Sequence, residues 1–182
     1  MIDYIERATR LIHEVYPMIR ENLDNPWELK RIVKKFNQTN FRNIRVANGS
    51  ARVALVGSDY VVKWDYDLEN VDEIGGCENE IELYAIAERE GFAYLFAKIT
   101  RVEYDGHYFY VMPRIHDIGK TEERAWYYMT HTEKVWCECH HLTDLHDENY
   151  GWVNNHIVIV DYAFQEDKVQ ESSDSYYDSS LT

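Results

Sequence analysis

The sequence predicts an α+β fold, in which helices and antiparallel strands occupy separate stretches of the chain. Apolar residues recur at helical spacing between residues 3 and 36, and two apolar strands joined by a polar turn follow in residues 48–64. A further apolar run at 108–115 and a hairpin pattern at 150–160 add strands later in the chain. We therefore expect a small antiparallel sheet, preceded by a helical segment and followed by a reduced, mostly helical region, whose main helices are predicted at residues 121–141, a stretch rich in Trp and Tyr.

Two helices are predicted in the N-terminal segment. The first covers residues 3–20, and Pro17 predicts a kink or a break near its end. The second helix begins after Asn25, a capping residue that is followed by a proline and, three residues later, by Glu28. Its apolar side is Leu29, Ile32, Val33 and Phe36. Its opposite side is basic and consists of Lys30, Arg31, Lys34 and Lys35.

The first two strands of the sheet are predicted at Asn48–Ala54 and Tyr60–Trp64, with a polar turn at Gly57–Asp59. Small residues at the start of the first strand suit a stretch of backbone that closes over phosphate groups. The candidates for this role are Gly49, Ser50 and Ala51. The second strand carries a single lysine, Lys63, within an otherwise apolar run.

A helix is predicted to begin at Cys77, directly after two glycines. It carries two acidic residues that are candidates for an inward position, namely Glu80 and Glu82. Leu83, Tyr84 and Ala87 lie three, four and seven positions after Glu80, so Glu80 shares their inward face. Of these two acids, we therefore expect Glu80, rather than Glu82, to face the interior.

The segment Thr143–Asn149 carries the residues with the clearest chemistry. Asp144 and Asn149 lie five positions apart on a tight loop, so a carboxylate that accepts a hydroxyl proton and an amide oxygen that binds magnesium can converge. The hairpin that follows has its turn at residues 154–155 and ends at Asp161. We expect Asp161 to return beside Asn149 as a second oxygen ligand for the metal.

These motifs resemble those of the protein-kinase-like superfamily. The run Asp144-Leu-His-x-x-Asn149 resembles its catalytic loop, particularly in the aminoglycoside-phosphotransferase branch and in short kinase-like proteins encoded by bacteriophages. The triplet that begins at Asp161 resembles the magnesium-binding Asp-Phe-Gly triplet. The resemblance implies ATP and magnesium as cofactors, Asp144 as catalytic base, and Asn149 and Asp161 as metal ligands.

The resemblance extends over residues 43–164 and implies a two-lobed fold. Lys63 resembles the lysine that holds the α- and β-phosphates, and Glu80 its partner on the regulatory helix. Residues 108–115 resemble the strand and hinge that contact adenine, with Met112 at the gatekeeper position. The nucleotide-binding residues implied in this way are Gly49, Ser50, Ala51, Lys63, Met112, Arg114 and Asn149. The implied divisions are a helical segment (1–42), a small lobe (43–112), a truncated large lobe (113–164) and an acidic disordered tail (165–182).

Three departures from the superfamily pattern leave two functions open. Leu142 stands where related enzymes have a histidine, and Ala163 replaces the usual glycine. Only 18 residues follow Phe164, so we expect no full peptide-docking platform. The first function is a phage-type Ser/Thr protein kinase that modifies a host protein. The second is a weakly catalytic pseudokinase that binds or inhibits a host factor through its acidic surface.

Charge and hydropathy restrict the range of partners. The formal net charge is −14, and residues 53–182 contain nine lysines and arginines against twenty-seven acidic residues. Such an acidic body repels nucleic acid, so we expect a protein partner and no direct binding to DNA or RNA. No apolar stretch approaches the roughly 20 residues that span a bilayer. The expected location is therefore the cytoplasm, which is that of the host if the protein is viral.

Overall fold

The computed structural model describes residues 3–49, 52–66, 76–116, 124–142 and 145–162. Within these residues it contains four α-helices, a five-stranded antiparallel sheet and a separate two-stranded hairpin. The predicted α+β class is confirmed. The division into two lobes stays a prediction.

Along the chain, one or two helices are followed by two or three strands, and this order occurs three times. The helices are α1 (Tyr4–Ile19), α2 (Pro26–Asn40), α3 (Cys77–Glu90) and α4 (His131–Cys139). The strands of the large sheet are β1 (Arg45–Asn48), β2 (Arg52–Val56), β3 (Tyr60–Asp65), β4 (Thr100–Tyr104) and β5 (His107–Pro113). The hairpin strands are β6 (Tyr150–Val153) and β7 (His156–Ile159). The large sheet has the order β1-β2-β3-β5-β4, so β3 lies at its centre.

Helix α1, in which we expected a kink or a break near Pro17, continues through this residue to Ile19. Proline cannot donate the hydrogen bond of its turn, but Pro17 lies so near the helix end that only the last turn is affected. The backbone N–H of Arg20 still donates to the carbonyl of Tyr16 at 2.9 Å. Burial of Tyr16 and Ile19 against the sheet holds this last turn in helical form.

Helix α2 begins as the sequence predicts, because the Asn25 side chain accepts a hydrogen bond from the Glu28 backbone N–H at 3.1 Å. The Glu28 carboxylate pairs with Arg31 on the next turn. Asn25 therefore satisfies one of the N–H groups that every helix start leaves without an intrahelical partner.

Replacing Asn25 by alanine is expected to lower the free energy of unfolding by about 1 kcal/mol, because the cap is lost. Urea denaturation of the two proteins measures this difference. Asn25→Ser is the matched control, since serine also caps helices, and it is expected to stay within about 0.5 kcal/mol of the wild type. Equal losses in both variants would contradict the capping role.

Side chains of the central strands alternate between the two faces of the large sheet, and both faces lie against other parts of the chain. One face packs against α1 and α2 and contributes Val53, Leu55, Val62, Trp64, Phe109 and Val111. On the other face, Ala54, Lys63 and Tyr110 are neighbours across β2, β3 and β5. This second face lies toward α3 and the hairpin, so a lysine stands on an internal surface of the protein.

The hairpin turns at Asn154 and Asn155, as predicted. Both residues have positive φ angles, 50° and 65°, which is the geometry of the tight turns that match strand twist. The Ala97 N–H donates to the carbonyl of Ile159 at 2.9 Å, which ties β7 to the segment after α3. The end of the hairpin is therefore held close to the large sheet.

The predicted helical region at residues 121–141 is shorter in the structure. Its α-helix covers only His131–Cys139, preceded by a 3₁₀ segment at Ala125–Tyr128, and residues 121–123 lie outside the described residues. The Thr130 side chain accepts from the Glu133 N–H, and the Glu133 carboxylate accepts from the Thr130 N–H. This capping box starts a new helix at residue 131. The described part of the C-terminal region, expected to be mostly helical, therefore contains one α-helix, two short 3₁₀ segments and the predicted hairpin.

Two further expectations concern the tail and the membrane. The predicted disordered tail, residues 165–182, lies outside the described residues. None of the helices in the described ranges has both the length and the apolar character that crossing a bilayer requires.

Candidate active site

A cavity of about 410 Å³ lies between the large sheet and the hairpin. Its volume falls within the range of small-molecule sites in proteins. Strands β2, β3 and β5 form one wall, and the residues on either side of the hairpin form the other. The lining residues are Arg45, Ala54, Val56, Val61, Lys63, Met112, Pro113, Arg114, Ile115, His116, Glu148, Asn149, Val160 and Asp161.

Lys63 and Glu80 form an ion pair at the inner end of this cavity. Lys63 is only 6 % exposed and Glu80 is fully buried at 0 %. A buried charge is costly unless an opposite charge compensates it, so neither side chain is stable in this position without the other. Glu82 is exposed on the opposite side of α3. The expected choice of Glu80 over Glu82 as the partner of Lys63 agrees with this geometry.

Glu80 also joins α3 to the chain that follows the hairpin. Its Oε1 atom accepts a hydrogen bond from the Tyr162 backbone N–H at 3.0 Å. The Lys63 Nζ atom lies 3.5 Å from the carbonyl oxygen of Val160. The ion pair therefore fixes the relative positions of β3, α3 and the segment after β7.

Arg52 is a second cation at this junction, and the sequence did not indicate it. Its Nη1 atom lies 2.7 Å from Oδ1 of Asp161 and 3.5 Å from Oε1 of Glu80. The Arg52 side chain is 21 % exposed, whereas that of Asp161 is 39 % exposed. Lys63, Glu80, Arg52 and Asp161 thus form a cluster in which two positive charges face two negative ones.

The cluster keeps both of its basic groups protonated. Burial alone would lower the pKa of Lys63, but the carboxylates of Glu80 and Asp161 outweigh it and raise that pKa above its usual value. Burial likewise opposes the charge on Arg52, and Asp161 and Glu80 again raise the pKa of its guanidinium. Lys63 is therefore available as a fixed positive charge at neutral pH.

Asn149 and Asp161, the two predicted metal ligands, are brought together. The main-chain carbonyl oxygen of Asn149 accepts hydrogen bonds from the backbone N–H groups of Val160 at 2.8 Å and Asp161 at 3.5 Å. Both residues line the cavity. Asp144, the predicted catalytic base, lies outside the described residues.

The remaining predicted residues divide into two groups. Met112 and Arg114 line the cavity, and the Arg114 guanidinium donates to the carbonyl of Gly57 at 2.9 Å. Gly49 is exposed at the end of β1 and does not line the cavity. Its φ angle is not positive, and a Cβ atom there would meet nothing within 4 Å, so neither strain nor crowding requires glycine at this position. Ser50 and Ala51 lie outside the described residues.

The ligand set suits a metal that arrives together with an anion. In the described ranges, no group of three or more His, Cys, Asp or Glu side chains is placed to hold a metal ion by itself. Magnesium usually takes one or two protein carboxylates and completes its shell with water and substrate phosphates. Asp161 and Asn149 provide one carboxylate and one amide for such a shell. Arg52 already forms an ion pair with Asp161, so the Asp161 carboxylate has two possible cationic partners, Arg52 and the metal.

No protein-family model, no curated protein and no solved structure matches the chain. Function is therefore inferred from the chemistry of the cavity and from the sequence motifs that surround it.

Proposed function

We propose that the protein is an ATP- and magnesium-dependent phosphotransferase of the protein-kinase-like superfamily, and that it acts as a phage-type Ser/Thr protein kinase on a host protein in the host cytoplasm. One observation carries this proposal: a buried Lys63–Glu80 pair stands at a cavity whose other wall holds Asn149 and Asp161. A buried ion pair is seldom the most stabilising way to fill a core, so its presence beside a cavity suggests a functional role.

The charge of the cavity supports binding of a polyphosphate. Three cations, Arg45, Lys63 and Arg114, line it beside two acids, Glu148 and Asp161, although the chain as a whole carries a net charge of −14. Glu80 holds the Lys63 ammonium in one position, so little of its motion must be lost when a phosphate binds. Fixed cations of this kind stabilise the charge that is transferred with a phosphoryl group.

The apolar part of the cavity supports binding of a flat base. Side chains from three strands and from the segment after the hairpin provide its walls, with Met112 buried at the back. These apolar residues are Ala54, Val56, Val61, Met112, Ile115 and Val160. A mostly apolar lining with a few charged groups is typical of small-molecule sites.

The catalytic roles follow from the chemistry of the oxygen-bearing side chains. Asn149 and Asp161 would hold magnesium, which neutralises phosphate charge when it is bound. Asp144 would accept the proton of the acceptor hydroxyl as its oxygen attacks the γ-phosphorus, and ADP leaves with the electrons of the broken bond. Glu80 takes no part in the transfer itself; it holds Lys63 in place.

Thermal-shift titration tests nucleotide binding directly. ATP with magnesium is expected to raise the melting temperature of the wild type, since a ligand at 100 times its dissociation constant stabilises the native state by about 2.7 kcal/mol. Lys63→Met is expected to lose most of this shift. The comparison uses the ligand-induced shift rather than the melting temperature itself, because Lys63→Met also leaves Glu80 without its main partner.

Lys98→Met is the matched control, since Lys98 is exposed and does not line the cavity. It is expected to retain the full shift. Transfer of labelled phosphate from ATP to a protein acceptor, dependent on magnesium, is the second readout. A wild-type protein that neither shifts with ATP nor transfers phosphate would overturn the proposal.

A second candidate function is a pseudokinase that binds or inhibits a host factor through its acidic surface. The contact between Arg52 and Asp161 favours it, because it neutralises a carboxylate that catalysis would need for the metal. A variant with both Lys63→Met and Asp161→Ala separates the two functions. If this variant still captures the same partner and produces the same biological effect, the protein acts by binding and not by phosphate transfer.

A further inference from the structure

We propose that Arg52 exchanges one anionic partner for another. In the nucleotide-free protein it forms an ion pair with Asp161, and when a divalent cation binds Asp161 the Arg52 guanidinium moves to a phosphate of the nucleotide. This inference rests on the proposed function and identifies how the same site couples metal and nucleotide. Its ligand class is a nucleoside triphosphate accompanied by a divalent cation.

The position of Arg52 carries the first step. In the register of β2 and β3, Arg52 lies opposite Asp65. It is on the same sheet face as Ala54 and Lys63. Its guanidinium reaches Asp161 at 2.7 Å, which is the distance of a charge-assisted hydrogen bond. The carboxylate that the metal would use is therefore held by a cation belonging to the protein.

Competition between the two cations carries the second step. A guanidinium and a divalent ion on one carboxylate repel each other, and the repulsion is stronger in a partly buried site than in water. Asp161 is also the single carboxylate of the predicted metal set. Metal binding at Asp161 therefore favours departure of the Arg52 guanidinium.

The charges around Arg52 determine where it can go. Glu80, whose Oε1 atom already lies 3.5 Å from the Arg52 guanidinium, is compensated by Lys63, and the Asp65 carboxylate accepts the Cys77 N–H at 3.0 and 3.2 Å at the start of α3. Neither acid offers an uncompensated charge that would replace Asp161. A bound phosphate offers such an uncompensated charge. The planar guanidinium can donate two parallel hydrogen bonds to its oxygens.

Two binding measurements on Arg52→Gln test the exchange. Manganese, followed by the electron paramagnetic resonance signal of the free ion, is expected to bind the nucleotide-free variant about tenfold more tightly than the wild type, since one charged contact no longer competes. A non-hydrolysable ATP analogue with magnesium, followed by calorimetry, is expected to bind about tenfold more weakly, since the phosphate loses that contact.

Arg52→Lys is the second variant, since it keeps the positive charge in the cluster and guards against a loss of folding in Arg52→Gln. It is expected to retain the weak manganese binding of the wild type and to lose part of the affinity for the analogue. Asp161→Asn is expected to abolish the gain in manganese affinity when it is combined with Arg52→Gln.

The outcomes separate this inference from the proposed function. If the wild type binds the analogue but Arg52→Gln leaves either affinity unchanged, the exchange is wrong and the phosphotransferase proposal stands. If the wild type binds no analogue at all, both are wrong.

Discussion

Replacing Glu80 by glutamine is expected to lower the free energy of unfolding by about 3 kcal/mol, because it leaves the buried Lys63 ammonium without its main compensating charge. Glutamine has nearly the same shape, and its carbonyl oxygen can still accept the hydrogen bond from the Tyr162 N–H. The substitution therefore removes the charge and preserves the packing. Urea denaturation at neutral pH, followed by tryptophan fluorescence, measures the loss.

Glu82→Gln is the control for Glu80→Gln. It makes the same chemical change two residues away, on the exposed side of α3, and is expected to alter the free energy of unfolding by less than about 0.5 kcal/mol. Adding Lys63→Met to Glu80→Gln is expected to recover much of the lost stability, because no uncompensated charge then stays buried. Simple addition of the two single losses would mean that the residues do not act as a pair.

The inward positions of Lys63 and Glu80 follow from local periodicity, whereas their pairing was expected from the resemblance to kinase-like proteins. Alternation along β3 sends Lys63 to the face opposite Val62 and Trp64, and Glu80 lies on the helical stripe of Leu83 and Ala87. The hairpin could also be predicted, since two asparagines at residues 154 and 155 tolerate the positive φ angles of its turn. In each case the information lies within a few residues.

Arg52 could not be found in this way, because its partners depend on contacts between distant parts of the chain. Its strand neighbour is fixed by the β2–β3 register, and Asp161 reaches it only after the hairpin has packed beside the sheet. Arg45 was missed for a related reason. The residues of β1 are largely exposed and show no alternation that would reveal which side chains face the cavity.

The extent of α4 was missed although its signal is local. Aromatic residues between positions 121 and 141 suggested continuous helices, yet Thr130 and Glu133 are the two ends of a capping box. Trp136 is buried on α4, whereas Ala125 is buried within a 3₁₀ segment outside it. Aromatic composition therefore did not determine helix length, and Tyr127 in the 3₁₀ segment is exposed.

Replacing Asp144 by asparagine is expected to reduce transfer of the γ-phosphate about 100- to 10,000-fold, which is the usual contribution of a positioned general base. The amide cannot accept the proton of the acceptor hydroxyl, although it occupies nearly the same volume as the carboxylate. Because the proposed role of Asp144 lies in the transfer step, the shift in melting temperature with ATP and magnesium is expected to persist. Single-turnover transfer from labelled ATP, with and without magnesium, measures the rate.

Asp147→Asn is the matched control for Asp144→Asn, since it makes the same change on the same loop at a residue that does not line the cavity. It is expected to retain most of the wild-type rate, because its carboxylate does not line the cavity. A wild type that transfers phosphate while Asp144→Asn transfers it equally fast would exclude Asp144 as the base. Loss of ATP binding in Asp144→Asn would instead place its carboxylate among the groups that hold the nucleotide and its metal.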